Sequence, residues 1–477
     1  MKISPIKQNI VITKSQPVKE IKSSEVKTNE AVQEKKHNYW NYLAPLGVIL
    51  AVGIGIKYYR GKNVKPTSPV NPPKPMQNSN PSNEINNYVT ELAKSLGKYL
   101  NKDIDAKSLK SVISGEDLLK ELEKLEKQNF VASKENIERG IFCADLHSHS
   151  LYSDGLASVS DILNQVAEYA DKLNKKNGKK FLFALTDHDT CEGVKEALKI
   201  ISEQPEKFEN VKFVTGSELS YLIKSDKTSN PFETSEILVY GFNPFDEKIN
   251  KYFKNLYLKR ENMVKEYISE VSKMFEYADF SLEEFHKIYG KNYIMNYQWK
   301  VHNYAQTKNA VAGLAISQNK DKTLMYEEIM TKADRWNKTL YDLRKAGLVP
   351  ESYGEDSRIM DMCRNKYSPR LENGFINFNC ESNFDEIIKI FGNDKNTFGA
   401  FAHPYYVTER NSQAENLLNE LVSKSNGFIK ATESHHQAYR LSVNSDEITN
   451  FNDKLVKTNN LIELGGRDNH EKDWISR

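Results

Sequence analysis

The sequence predicts an α/β fold built around a parallel sheet or barrel. Seven short apolar runs have the length of buried strands, and helical spacing of apolar residues separates several of them. Strands that alternate with helices form parallel sheets or barrels, and the functional residues of barrels follow the strands. The predicted strands are residues 141–144, 181–185, 211–214, 237–240, 398–402, 428–432 and 461–464, and helices are predicted at 159–174, 192–203 and 414–424.

Residues 245–396 interrupt this alternation. They are rich in Lys, Tyr and Asn, with helical stretches at 250–275 and 323–346, which predicts an inserted, mostly helical subdomain. An insertion between two barrel strands emerges beside the strand ends, so it can form one wall of a pocket.

The N-terminal part is predicted to contain a membrane anchor. Residues 42–56 are strongly apolar, and with aromatic flanks the segment 39–59 approaches the roughly 20 residues that cross a bilayer. A buried core helix is the alternative, but a polar tail and a proline-rich linker flank the segment. The lysines and arginines on its two sides slightly favour a cytosolic C-terminal part of a single-pass membrane protein.

Shifts in composition predict the remaining boundaries. The chain divides into a disordered tail (1–38), a transmembrane helix (39–59), a Pro-rich linker (60–84), a helical adaptor (85–137), the first part of the main domain (138–244), the inserted subdomain (245–396) and the second part of the main domain (397–477).

Composition argues against several classes of protein. The net charge is +2, from 67 basic and 65 acidic residues, so charge gives no reason to expect a nucleic-acid partner. Four cysteines are too few and too scattered for a disulfide framework. The glycine pairs form neither a P-loop nor a dinucleotide fingerprint, so no nucleotide cofactor is expected.

Histidines and carboxylates near the strand ends predict a metal site. His147 and His149 follow the first predicted strand, and residues two apart in an extended segment point to the same side. Six of the ten histidines fall just after predicted strands. Imidazoles combined with Asp154, Glu218 and Asp468 suit Zn, Mn or Fe. The set has about nine ligands, more than one ion can use, which predicts two or three divalent ions.

These motifs resemble the PHP family (polymerase and histidinol phosphatase), in particular its stand-alone phosphoesterases. The matching segments occur in the family's order at residues 145–155 (DLHSHSLYSDG), 185–190 (LTDHDT), 215–218 (TGSE), 402–404 (AHP) and 465–470 (GGRDNH). The resemblance covers about residues 138–477, apart from much of the insertion. It implies a distorted seven-stranded (β/α) barrel, a site for two or three metal ions, and hydrolysis of phosphate esters, with nucleotides or short oligonucleotides as substrates.

Position by position, the resemblance implies a specific set of metal ligands and also shows departures. The implied ligands are His147, His149, Asp154, His188, Glu218, Glu236, His403, Asp468 and His470. Glu236 stands where the family usually has His, and Arg467 where it usually has Ser. Tyr405 and Tyr406 replace the Gly-Arg pair that often follows His-Pro in this subgroup. Lys300 lies near the position of an arginine in a Gly-Arg-x-His-x-Ala motif.

The remaining candidates concern substrate. Lys300 and His302 are predicted to bind phosphate or to protonate the leaving group, and an ordinary structural role is the alternative for His302. His435, His436 and Tyr405 are predicted to bind substrate, with core packing as the alternative for Tyr405.

The predicted function is a membrane-anchored, metal-dependent phosphatase or phosphodiesterase that uses a metal-activated hydroxide. No protein partner is inferred. Two alternatives stay open: a catalytically impaired PHP scaffold that still binds metal, and a metal-dependent hydrolase of non-phosphate esters or amides.

Overall fold

The computed structural model describes residues 81–227, 232–272, 382–437 and 444–474, together with Tyr439 and scattered positions between residues 281 and 325. The predicted transmembrane helix at 39–59, Lys300, His302 and most of the predicted helix at 323–346 lie outside the described residues. Within the described ranges, no helix is both long enough and apolar enough to span a membrane.

Seven strands form one curled, half-barrel sheet in a mixed α/β fold, and their order across the sheet is their order in the chain. Every one of the seven predicted strands overlaps an observed strand. The strands are β1 (Ala144–Asp145), β2 (Phe181–Leu185), β3 (Val211–Lys224), β4 (Phe232–Tyr240), β5 (Phe398–Phe401), β6 (Ile429–Glu433) and β7 (Ile462–Leu464).

The sheet is not parallel throughout, which corrects the sequence prediction. Strand β4 pairs antiparallel with both β3 and β5, whereas the other neighbouring pairs are parallel. Only residues 225–231 connect β3 to β4, which is too short for the crossover that a parallel pair requires. Strand β3 also extends well beyond the predicted run, because Leu219, Tyr221 and Ile223 bury alternate positions of the hairpin.

The helices of the described residues include ones that overlap the predictions at 159–174, 192–203, 250–275 and 414–424, and others that were not predicted individually. They are α1 (Pro81–Leu100), α2 (Gly115–Leu122), α3 (Lys134–Arg139), α4 (Val159–Asn177), α5 (Glu192–Glu203), α6 (Glu247–Ser272), α7 (Phe384–Phe391), α8 (Ala414–Lys424) and α9 (Ser445–Asn459). Short 3-10 helices occupy Ala106–Leu109, Lys127–Phe130 and Pro404–Glu409. Helix α4 begins at its Ser158 cap and ends at Gly178, whose φ of 70° suits glycine.

Two apolar layers hold this arrangement together. On the outside of the sheet, Leu92 and Leu96 of α1 share one buried cluster with Phe183 and Phe213 of β2 and β3. Inside the curl, small side chains such as Ala184, Ala400 and Ala431 fill the space, and residues of α2 join them. The interior is therefore a packed core, and the polar residues that follow the strands gather at its rim.

Candidate metal centre

The segment after β7 lies against the segment after β1 at this rim. The Leu146 N–H donates to the Gly465 carbonyl at 3.3 Å, and the His149 N–H donates to the Asn469 carbonyl at 2.9 Å. A Cβ added to Gly466 would lie 2.3 Å from the Cβ of His147, so only glycine fits this close approach. These contacts bring Asp468 and His470 from the end of the chain to the histidines that follow β1.

Glu218 is the centre of the constellation. Its Oε2 lies 2.9 Å from His147 Nε2, 3.3 Å from His149 Nε2 and 3.2 Å from His188 Nδ1. Its Oε1 lies 3.1 Å from His403 Nε2. Burial would raise the pKa of this carboxyl, but the imidazoles of His147 and His188 hold it well below its usual range. One fully buried carboxylate therefore faces four imidazoles.

A second group forms around Asp154. Its Oδ1 lies 3.0 Å from His470 Nε2, and its Oδ2 lies 3.6 Å from His188 Nε2. Atoms of His149, Asp154, His188 and His470 all approach one another within 4.8 Å, a spacing that could hold an ion. Burial would raise the pKa of Asp154, but His470 and His188 lower it strongly.

The remaining predicted ligands lie beside these two groups. Asp468 Oδ1 is 3.0 Å from His149 Nε2 and 3.4 Å from His147 Nε2. Glu236 Oε2 is 3.5 Å from His403 Nε2, and Glu236 also forms a possible ion-holding group with His188 and Glu218. All nine sequence-predicted ligands thus lie at one rim of the sheet. Their individual roles as ligands stay predictions.

The donor set and its unsatisfied atoms fit a metal centre. In the described part of the chain, four buried atoms of this constellation make no hydrogen bond of regular geometry, although each lies within 3.2 Å of another atom of the constellation: His149 Nε2, Asp154 Oδ1, His188 Nδ1 and Asp468 Oδ1. Buried polar atoms without partners are costly, and a cation would satisfy these. The mixture of imidazole nitrogens and carboxylate oxygens suits Zn, Mn or Fe.

Neighbouring carboxylates anchor the loops that carry the histidines. Asp187 Oδ1 accepts the Ser150 N–H at 2.6 Å and the Ser153 hydroxyl at 2.8 Å, which fixes the loop after His149. On the other side of His188, Asp189 accepts the Ser220 N–H at 3.0 Å.

Arg260 of α6 extends this anchoring to the inserted segment. Its Nη1 donates to Asp189 Oδ2 at 2.8 Å, and both side chains are buried. A cavity of about 330 Å³ lies beside His188, and Phe253, Tyr257 and Arg260 form its α6 wall. The first helix of the insertion thus walls a pocket at the rim, as the sequence predicts for an insertion at this place.

Glu433 is a functional candidate that sequence reasoning did not assign to the site. It is the last residue of β6 and is fully buried. Its carboxylate lies 3.1 Å from His147 Nδ1 and accepts the His403 N–H at 2.9 Å. Glu433 directly follows the predicted strand at 428–432, which could have indicated a place in the site. The sequence predicts a role only for His435 and His436 of this segment.

Those two histidines, His435 and His436, have different environments. His436 Nε2 lies 3.5 Å from Asp468 Oδ2, at the rim of the centre. His435 Nε2 lies 2.5 Å from Glu463, and its ring stacks on Phe130 at 5.5 Å. The structure therefore brings His436 to the centre and places His435 outside every candidate ion-holding group of the described residues.

The tyrosines after His403 also differ. The Tyr405 ring contacts Tyr439 and Phe451 at 6.3 and 5.7 Å, which is packing away from the ligands. The Tyr406 ring lies 5.4 Å from His403 and 6.3 Å from His436. Tyr406 is thus the better placed of the two for contact with a substrate, although the sequence favoured Tyr405.

Arg467 has a structural partner beneath the site. Its N–H and Nε donate to the two carboxylate oxygens of Asp145 at 3.0 and 2.8 Å. Its guanidinium lies 4.3 Å from the centre of the Trp474 ring, a cation–π contact. This two-point clamp links β1 to the segment that carries Asp468 and His470.

Comparisons with known proteins give weak likenesses. No model of a known protein family matches the chain, and no curated protein matches it. Among solved structures, it is similar to one described as a candidate metal-dependent phosphoesterase from Bifidobacterium adolescentis, at 17% identity and a TM-score of 0.40, over 69% of this chain and 88% of that one. It is also similar to an amidohydrolase from Chromobacterium violaceum with bound sulfate and no metal, at 16% identity and a TM-score of 0.37, over 69% and 87%. Both scores are low, so neither likeness establishes an activity for this chain.

Proposed function

We propose that this chain is a metal-dependent hydrolase of phosphate esters that acts on nucleotides or short oligonucleotides. The observation that carries the proposal is the buried Glu218 carboxylate facing four imidazoles at the rim of the sheet. The choice of phosphate esters rests on the resemblance of the motifs to the PHP family. Two or three Mn, Zn or Fe ions are the proposed cofactors.

The proposed ligands fall around three positions. His147, His149, Glu218 and Asp468 would hold one ion, and His149, Asp154, His188 and His470 could hold another. Glu236, Glu218 and His188 offer a third. Bound divalent ions supply Lewis-acid activation of water and neutralise charge on the phosphoryl oxygens.

Exposure indicates the side from which substrate approaches. The side chains of His470 and Asp468 are 33% and 27% exposed, and that of Glu236 is 23% exposed, whereas His147 and Glu218 are fully buried. Substrate therefore meets the constellation from the side of His470, Asp468 and Glu236, while the buried groups hold the geometry from below.

Tyr406 can orient a substrate oxygen on this side. Burial and the nearby carboxylate of Asp468 raise the pKa of its hydroxyl to about 12, so it keeps its proton at neutral pH. A protonated phenol donates a hydrogen bond, and a phosphoryl oxygen is a suitable acceptor. The rings of His403 and His436 both lie beside Tyr406, at 5.4 and 6.3 Å.

The test is hydrolysis of p-nitrophenyl phosphate and bis(p-nitrophenyl) phosphate by the full chain loaded with Mn²⁺, Zn²⁺ or Fe²⁺. Turnover is expected with at least one ion, and it is expected to disappear on chelation and in His147→Ala. His435→Ala is the matched control and is expected to keep activity, because this histidine pairs with Glu463 outside every candidate ion-holding group of the described residues.

Two outcomes would contradict the proposal. Bound metal without turnover on a broad panel of phosphate esters favours the metal-binding scaffold. Metal-dependent turnover confined to carboxylic esters or amides favours the other hydrolase class.

We propose further that residues 39–59 anchor the chain to a membrane, because their apolar length approaches that of a bilayer-spanning helix. The full chain is expected to stay with membranes after alkaline carbonate extraction, and a chain without residues 1–60 to be released. Release of both chains would refute the anchor.

A further inference from the structure

We infer that Glu433 positions two of the proposed ligand histidines at once, and that this task requires both of its carboxylate oxygens as acceptors. The inference rests on the proposed metal centre. Glu433 ends β6 between the segments that carry His147 and His403, and no part of its side chain is exposed. It is therefore close to both histidines and shielded from competing water.

The contact with His147 fixes the orientation of its ring. Nδ1 lies 3.1 and 3.2 Å from the two oxygens of Glu433. A carboxylate only accepts hydrogen bonds, so this nitrogen carries the proton. Nε2 points toward Glu218 and Asp468, at 2.9 and 3.4 Å, and the same argument places a proton on it in the metal-free chain. A bound cation would take the place of that proton, while Nδ1 keeps its own proton on Glu433, since a ligating histidine commonly donates its other N–H to a carboxylate.

The contact with His403 fixes a strained backbone. His403 has φ 28° and ψ 58°, in the left-handed region, and it precedes Pro404. Such a conformation is unfavourable in a non-glycine residue and persists only when its surroundings hold it. The N–H of His403 donates to Glu433 Oε2 at 2.9 Å, and this conformation directs its Nε2 to 3.1 Å from Glu218.

These two tasks exclude an amide at this position. The two N–H donors approach the same carboxylate, one in a side chain and one in the backbone. A glutamine has the same shape but only one acceptor oxygen, and its NH₂ group would face the other donor. Glu433→Gln therefore sets an NH₂ donor against either the His147 ring N–H or the His403 backbone N–H, and the displaced donor loses its position.

The experiment is a Co²⁺ titration of the full-length metal-free chain, followed by visible absorption and by direct metal analysis. Glu433→Gln is expected to weaken one class of Co²⁺ sites by about 10–100-fold, the usual cost of losing a group that orients a ligand. The sites formed around Asp154, His188 and His470 are expected to keep wild-type affinity, because none of these residues contacts Glu433 in the described structure. Circular dichroism checks that the variant is folded.

The matched control is Glu463→Gln. Glu463 also pairs with a histidine, His435, at 2.5 Å, but outside the centre. The affinity of the Glu463→Gln variant for Co²⁺ is expected to stay within about threefold of wild type, as for other substitutions away from the site.

Equal affinities of wild type and Glu433→Gln, or equal losses in Glu433→Gln and Glu463→Gln, would overturn the inference. If Glu433→Gln does not fold, Glu433→Asp decides, since it keeps both oxygens on a shorter side chain. Reduced affinity of one site class in folded Glu433→Asp supports the inference, and unchanged affinity overturns it. A wild-type chain that binds no divalent ion refutes the proposed function itself, so the two failures are distinguishable.

Discussion

The two halves of the candidate metal centre are built in different ways. Strands β1 to β3 provide the first half, within residues 147–218, and β4 to β7 provide the second half, within residues 236–470. Loop contacts hold the first half, as when Asp187 accepts the Ser150 N–H at 2.6 Å. The second half is also tied to the start of the sheet by a contact between very distant segments, the clamp of Arg467 on Asp145.

The two halves nevertheless bind metal together, because each of the three proposed ion positions joins residues of the first half to Asp468, His470 or Glu236 of the second. Substitutions that weaken the contacts of the second half should therefore weaken metal binding even when every ligand of the first half is kept.

The largest effect is expected where the halves meet. Glu218→Gln removes the carboxylate that faces His147, His149, His188 and His403, and an amide is a poorer and neutral ligand. Affinity for Co²⁺ is expected to fall by more than about 100-fold at the two positions that use Glu218, which exceeds the loss expected for a residue that only orients a ligand. Isothermal titration calorimetry measures the loss. Wild-type affinity at both positions would contradict a central role for Glu218.

The next effect concerns the clamp of the second half. Arg467→Ala leaves the fully buried Asp145 without its cation, and such a loss costs about 3–5 kcal/mol of unfolding free energy. Urea denaturation of the metal-free chain measures it. Lys110→Ala is the control, because its ion pair with Glu206 is exposed and worth at most about 1 kcal/mol. Equal stabilities of the two variants would contradict a structural role for the clamp.

The smallest effect is a pH dependence of the second half. Burial would lower the pKa values of His403 and His470, but Glu218 and Glu236 raise that of His403 to about 9, and Asp154 and Asp468 raise that of His470 to about 10. Both imidazoles are therefore protonated on both nitrogens at pH 7 in the metal-free chain. Each must release one proton before it can ligate a metal. Titrations of metal in buffers of different ionisation enthalpy are expected to detect this release. Its absence at pH 7 would contradict the raised pKa values.

The raised pKa values of His403 and His470 also determine how the stability of the metal-free chain changes with pH. A histidine whose pKa is raised in the folded state stabilises the metal-free chain. This contribution to the free energy of unfolding is fully present below the unfolded-state pKa, near 6.5. That contribution is lost as the pH rises through about 9 to 10. The urea midpoint of the metal-free chain is therefore expected to decline as the pH rises from the unfolded-state pKa to the folded-state pKa values of these two histidines.

Much of the fold could be predicted because strand and helix periods are local. The run at 181–185 matches β2, and the predicted bounds of α5 and α8 match the observed helices. The antiparallel direction of β4 could not be predicted from the pattern of alternating strands and helices, because direction depends on how the connection crosses the sheet. The adaptor and barrel boundaries stay predictions, although Leu92 of α1 shares the outer core with Phe213.

The order of the residues is enough to tell which chemical groups follow each strand, because short apolar runs and His-x-His spacing are local properties. Which of those groups face the centre depends on how the strands pack. His435 and His436 are neighbours in sequence, yet one pairs with Glu463 and the other approaches Asp468. The roles of Glu433 and Arg467 were decided in the same way, because the curl of the sheet and the register of its strands set where each side chain points.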